Sequence, residues 1–179
     1  MSAAPEPGGI FTLDLAGVIG WAYGHVGDQS PLFGDWHLPH IGGEGARYAA
    51  AENEIASAMD RFAPSHVVLE APLSFQALLG VSNMRVMTQQ LTLRGMAYSE
   101  AWRAACPISE VSADIVRREL LGQSHFAKDT VKREVMRFCF RQGWKVPSHN
   151  AGDACMVWAW HVGQVSSLGN GPLFRESVV

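Results

Sequence analysis

The chain lacks paired cysteines, long apolar runs, internal repeats, low-complexity tracts and a positive net charge, and each absence narrows what it can be. Its three cysteines, Cys106, Cys139 and Cys155, are widely spaced and odd in number. They form no paired metal motif, and their apolar neighbours point to reduced core thiols. The longest uncharged stretches, 71–84 and 154–174, are broken by Ser, Gln, Asn, Gly and Pro. Neither supplies the roughly 20 apolar residues of a membrane span. The opening residues have no basic start and no apolar signal core, so residues 1–9 read as a flexible leader on a protein that stays in the cytoplasm. With 47% hydrophobic and 17% charged residues in 179, disorder is excluded. One core is expected over 10–165, followed by a frayed tail at 166–179.

The net charge of −3 conceals an uneven distribution. Residues 1–70 carry 2 basic and 9 acidic groups, whereas residues 85–145 carry 11 basic and 6 acidic groups. Binding a phosphate backbone needs a local cationic face rather than a basic whole. A solvated helix face of mixed charge is the other reading, and charge alone leaves both open.

After the leader, the pattern predicts a strand Ile10–Asp14, a hairpin partner at 20–26 and a third strand at 34–38. A helix follows at 44–62, then a buried-type strand His66–Glu70 stopped by Pro72. A long helix at 82–105 leads through Pro107 to a strand Ile108–Val111. Helices are expected at Ala113–Leu121, 128–142 and 150–165. This order implies an α/β fold, a mixed sheet with helices on its faces. Trp158 and Trp160 are assigned to the core, and Trp102 to core or interface.

Three carboxylates interrupt the apolar pattern. Asp14 ends the first strand, Glu70 ends the fourth, and Asp153 stands at the head of an otherwise apolar helix. Alternation puts Ile10, Thr12 and Asp14 on one strand face, with Phe11, Leu13 and Leu15 on the other. Singly, each acid has an innocent reading. Asp14 could start a turn, Glu70 could be an exposed strand end, and Asp153 could form a capping box with Asn150 as N-cap. Together they suggest more. If the first and fourth strands are neighbours, Asp14 and Glu70 lie side by side, and the last helix brings Asp153 to them. Three such carboxylates repel one another unless cations sit among them. Oxygen donors favour Mg²⁺ or Mn²⁺, and two such ions can activate water against a phosphodiester.

These segments resemble the RuvC family of Holliday-junction resolvases, within the RNase H-like superfamily. Leu-Asp-Leu-Ala-Gly-Val-Ile-Gly-Trp-Ala, starting at Leu13, resembles the family's first strand and hairpin, and Val-Val-Leu-Glu its second acidic strand. Leu93-Arg94-Gly95-Met96-Ala97 is similar to its Ala-Arg-Gly-Val-Ala stretch. Gly122-Gln-Ser-His-Phe-Ala-Lys128 resembles its Gly-x-Gly-x-Ala-x-Lys loop, and Asn150-Ala-Gly-Asp153-Ala its Asp-Ala-Ala-Asp-Ala. The altered motifs and short length are compatible with a phage or prophage member.

The resemblance implies an RNase H-like nuclease that nicks four-way or branched DNA symmetrically as a homodimer, leaving a 5′-phosphate and a 3′-hydroxyl. Asp14, Glu70 and Asp153 would hold two Mg²⁺ or Mn²⁺ ions. The family's fourth site acid is replaced by Asn150, so His149 is favoured for that role, with Asn150 as ligand or N-cap. Lys128 would lie near the scissile phosphate. Lys132, Arg133, Arg137, Arg117 and Arg118 would contact backbone phosphates. Phe75 would stack at the junction centre, or else cover the core edge. The long helix at 82–105 would form the dimer interface. Two other readings stand beside this one: a ribonuclease H acting on RNA–DNA hybrids, and a junction-binding module that has lost catalysis.

Overall fold

A computed structural model describes residues 6–71 and 84–168, without the side chains of residues 128, 129 and 168. The described chain follows the order β1 (Ile10–Asp14), β2 (Val18–Gly24), β3 (Leu32–His37), α1 (Gly43–Phe62) and β4 (His66–Glu70). It continues with α2 (Met84–Arg103), β5 (Ile108–Val111), α3 (Ala113–Leu121), α4 (Lys128–Arg141) and α5 (His149–Leu168). The five strands form one mixed sheet in the order β3-β2-β1-β4-β5. β1 and β2, and β2 and β3, are antiparallel; β4 runs parallel to both β1 and β5.

Strand alternation sends side chains into two separate cores. Phe11, Leu13, Tyr23, Val67 and Leu69 pack with Ile55, Met59 and Phe62 of α1 and Leu93 and Ala97 of α2. On the opposite face, Ile10, Ala22 and Val68 pack with Val116, Val135 and the Ala151–Val162 stretch of α5. α5 is apolar nearly all round because it is the central helix of that layer, lying between the sheet and α3 and α4. All three cysteines are buried and free. Burial raises the Cys139 thiol to about 12, which keeps it protonated and inert.

Several boundaries differ from the pattern-based reading. The β2–β3 ladder pairs Val18 with His37 and Tyr23 with Leu32, so both strands begin earlier than expected. The long helix ends at Arg103, two residues before Ala105 takes a left-handed φ of 50°. Glu6 and Gly9, expected within the leader, are both tied to the Tyr23 hydroxyl. Residues 1–5 and 169–179 lie outside the described residues. Trp158 is buried as expected, but Trp160 is only partly so and donates its indole N–H to Glu119 Oε2 at 2.8 Å. Trp102 is 82% exposed and is no part of the core. No described helix is long and apolar enough to cross a membrane.

Candidate active site

The parallel register of β1 and β4 matches Thr12 to Val68 and Leu13 to Leu69. Asp14 and Glu70 follow immediately at the C-terminal ends of these neighbouring strands. Parity puts both on the α5 face, since Thr12 and Val68, two residues before them, pack toward that helix. Two close contacts set α5 down there. The Thr12 hydroxyl donates to the Ala154 carbonyl at 2.8 Å, in the interior beneath the helix. At Gly20, a Cβ would lie 2.0 Å from the Asn150 carbonyl oxygen, so only glycine lets the first turn of α5 rest on β2. Gly20 is also the residue paired with Asp14. Asp153 therefore comes down beside the two strand-end acids.

The electrostatics carry the mark of this convergence. Burial and the charges of Glu70 and Asp153 hold the Asp14 carboxyl well above its usual range. Burial and Asp153 push Glu70 up to about 7. Burial raises Asp153 to about 6, against the lowering pull of Arg117 and Lys132. Three buried acids, with Asp153 opposing the ionisation of the other two and Glu70 that of Asp14, form a site that gains from a bound cation. Arg117 partly supplies that charge. Its Nη2 is 3.8 Å from Asp153 Oδ1 and the side chain is largely buried. Its buried Nε has no partner among the described residues.

The start of α5 departs from the expected capping. Asn150 is not the N-cap: the Ser148 Oγ accepts from the backbone N–H of Asn150 at 3.0 Å and of Ala151 at 3.2 Å. Asp153 thus lies well inside the helix, which leaves its carboxylate for the acid cluster rather than a capping box. His149 is half-buried, and burial with the nearby charge of Lys132 lowers its pKa, keeping the ring neutral near pH 7. Asn150 is also half-buried. Arg118, Lys132, Arg133 and Arg137 are exposed, with Arg137 bound to Glu134 at 2.8 Å. Lys128 opens α4, where only its backbone is described, and Phe75 lies outside the described residues.

Pattern reading missed two polar members. Arg94 donates to the backbone carbonyl of Glu70 at 3.0 Å and pairs with Glu110, bracing the end of β4. Its signal was the Leu-Arg-Gly match on a helix. Asp35 is paired through Gly20 with Asp14 across the sheet, and its charge adds to the rise of Asp14. Nothing local in the sequence marks it.

Among the described residues, no three His, Cys, Asp or Glu side chains form a ready-made cage for one ion. The donor set nonetheless fits Mg²⁺ or Mn²⁺, which are held by one or two carboxylates and keep water and phosphate as their other ligands. Its carboxylate oxygens suit these hard ions better than zinc, which prefers nitrogen and sulfur donors.

No protein-family model and no curated protein matches the sequence. Solved structures do. Thermus thermophilus RuvC is 16% identical with a TM-score of 0.66, the match covering 92% of this chain and 98% of that one. The same protein in complex with a Holliday junction substrate matches at 16% identity and a TM-score of 0.66, over 93% and 99%. Ydc2, the yeast mitochondrial Holliday junction resolvase, matches at 9% identity and a TM-score of 0.57, over 93% and 85%. The chain therefore has the fold of RuvC: a mixed five-stranded sheet with five helices among the described residues.

Proposed function

We propose that this protein is a divalent-ion-dependent endonuclease that cuts four-way or branched DNA by paired, symmetric nicks. The observation that carries the reading is the placement of Asp14 and Glu70 at the adjoining ends of β1 and β4, on the face where α5 sets down Asp153; burial, first of all, raises the proton affinity of each. The RuvC fold supports it, because the first two acids stand on the adjacent strands and the third on the last helix of that fold.

Asp14, Glu70 and Asp153 would hold two Mg²⁺ or Mn²⁺ ions. These ions, when bound, supply an activated water and neutralise charge developing on the phosphate. The chain's own groups do the rest. Arg117, beside Asp153, adds fixed positive charge where an oxyanion forms. Neutral His149 at the start of α5 is placed to accept a proton, and Asn150 offers an uncharged oxygen. Lys128 would meet the scissile phosphate, and Lys132, Arg133, Arg137 and Arg118 the flanking backbone. Phase-matched nicks need two sites, so a twofold homodimer is part of the proposal. α2 supports it: Met84, Leu91, Tyr98 and Trp102 are exposed at spacings of seven, seven and four, and the exposed Thr88 and Gly95 divide these into alternating steps of four and three. That is one apolar seam of the kind helices bury against a copy of themselves. Cytoplasmic location belongs to the same reading.

The test is Mn²⁺-dependent nicking of a synthetic four-way junction by the parent and by Asp14→Asn, beside an RNA–DNA hybrid. Junction cutting by the parent and at least a hundredfold loss in the variant are expected. Unchanged cutting by Asp14→Asn would overturn the site assignment, preference for the hybrid would favour ribonuclease H chemistry, and binding without product would leave a junction-binding module.

A further inference from the structure

The first turn of α5 carries His149 and Asn150 and leads into Asp153, so whatever holds that turn sets the geometry of the acid cluster. Its backbone rests on Gly20 with no side chain between. Such a bare contact resists compression but does not stop sliding. The stop is polar. The Ser148 hydroxyl donates its one proton to Asp35 Oδ1 at 2.8 Å. With the proton committed there, the oxygen's lone pairs are turned to the N–H groups of Asn150 and Ala151, at 3.0 and 3.2 Å. Asp35 is in β3, the edge strand, on the row that runs through Gly20 to Asp14.

From this bridge we infer that Asp35 is a positioning residue, a latch that acts through Ser148 to fix the register of α5 against the sheet and hold Asp153 opposite Asp14. Asp35, a fourth acid beside Asp14, Glu70 and Asp153, adds repulsion to a site already crowded with negative charge. The latch gives that costly placement a purpose: only an acceptor at position 35 can orient the cap. The bonding demand is for an acceptor oxygen, not for a charge, and this separates the latch from an ion ligand. The ion and cleavage readouts below rest on the nuclease reading; the bond itself does not.

The experiment compares the parent with Asp35→Ala, Asp35→Asn, Ser148→Ala and the Asp35→Ala/Ser148→Ala double variant. Mn²⁺ affinity is measured by titration without DNA, kcat and KM on a four-way junction, and amide hydrogen exchange across residues 149–153 in EDTA. Partners that orient ligands in this way are worth about tenfold to a hundredfold in affinity or rate. Asp35→Ala and Ser148→Ala should each weaken Mn²⁺ binding and kcat by about tenfold or more. KM for DNA should stay unchanged, and the amides of Asn150 and Ala151 should exchange faster. The double variant should be no worse than either single one. Asp35→Asn keeps an acceptor and should restore all three readouts to within about threefold of the parent, well inside that range. Asp35→Asn as impaired as Asp35→Ala would overturn the latch in favour of a direct role for the charge, and unchanged exchange in Asp35→Ala would overturn it outright. A parent that neither binds Mn²⁺ nor cuts junctions would sink the nuclease reading alone, and the exchange data would then decide the latch.

Discussion

Neutralising Glu70 should stabilise the ion-free protein while abolishing its activity. In the unfolded chain Glu70 ionises near 4.5, whereas burial and Asp153 carry it to about 7 in the fold. At 1.36 kcal/mol for each pH unit, the charged form costs the native state about 3 kcal/mol at pH 8. Part of that is repulsion shared with Asp153, so it is counted once for the pair. The sign follows from proton binding. Between about pH 4.5 and 7 the native state holds a proton that the unfolded chain has released. Stability therefore falls as pH rises through this window and levels off above it. His66, His149 and His161, with lowered values, push the other way, so the informative quantity is the difference between two proteins. Urea unfolding in EDTA at pH 5 and pH 8 should show Glu70→Gln gaining roughly 1–3 kcal/mol over the parent at pH 8 and little at pH 5. Mn²⁺ should raise the parent's midpoint at pH 8 and leave the variant's nearly unmoved. A variant whose stability tracks the parent's at both pH values would refute the account of a crowded acid cluster.

Gly20→Ala drives a methyl into the Asn150 carbonyl, so a loss of about 2 kcal/mol or more is expected by urea unfolding, with Mn²⁺ binding lost in the protein that still folds. An unperturbed Mn²⁺ affinity there would show that α5 is not seated through Gly20. Thr12→Val removes the hydroxyl bond to the Ala154 carbonyl with little change in shape and should cost about 1 kcal/mol by the same measurement. Leu91→Glu on the exposed seam of α2 should convert a dimer to a monomer in sedimentation equilibrium without lowering the midpoint of unfolding of the isolated fold; a parent already monomeric at tens of micromolar, roughly the range of weak specific pairs, would remove the dimer.

Much of this molecule is local and was legible in the order of its residues. Apolar residues alternating along Ile10–Asp14 and His66–Glu70 assign each side chain to a face, because a strand has a period of two. An acid closing such a strand stands out whatever its partners are. The same holds for Asp153, charged at the head of a helix that is otherwise core. Helix extents were read closely where Pro or Gly punctuates, and less well for β2 and β3, whose ends are set by each other rather than by any residue within them.

Distance along the chain conceals the rest. That β1 adjoins β4 depends on which strand edges the packed helices leave free, and alternation says nothing of it. Asp35 looks like any polar residue of an edge strand until two ladder registers carry it to the row of Asp14. Ser148 outcompetes Asn150 as the cap because its hydroxyl has Asp35 to bond, a partner brought from another strand. Arg117 meets Asp153 for a similar reason: the two come together only because α3 packs on α5. Periodicity and charge are properties of neighbours in the chain, and so they name the acids; proximity is a property of the packed whole, and it alone makes them a site.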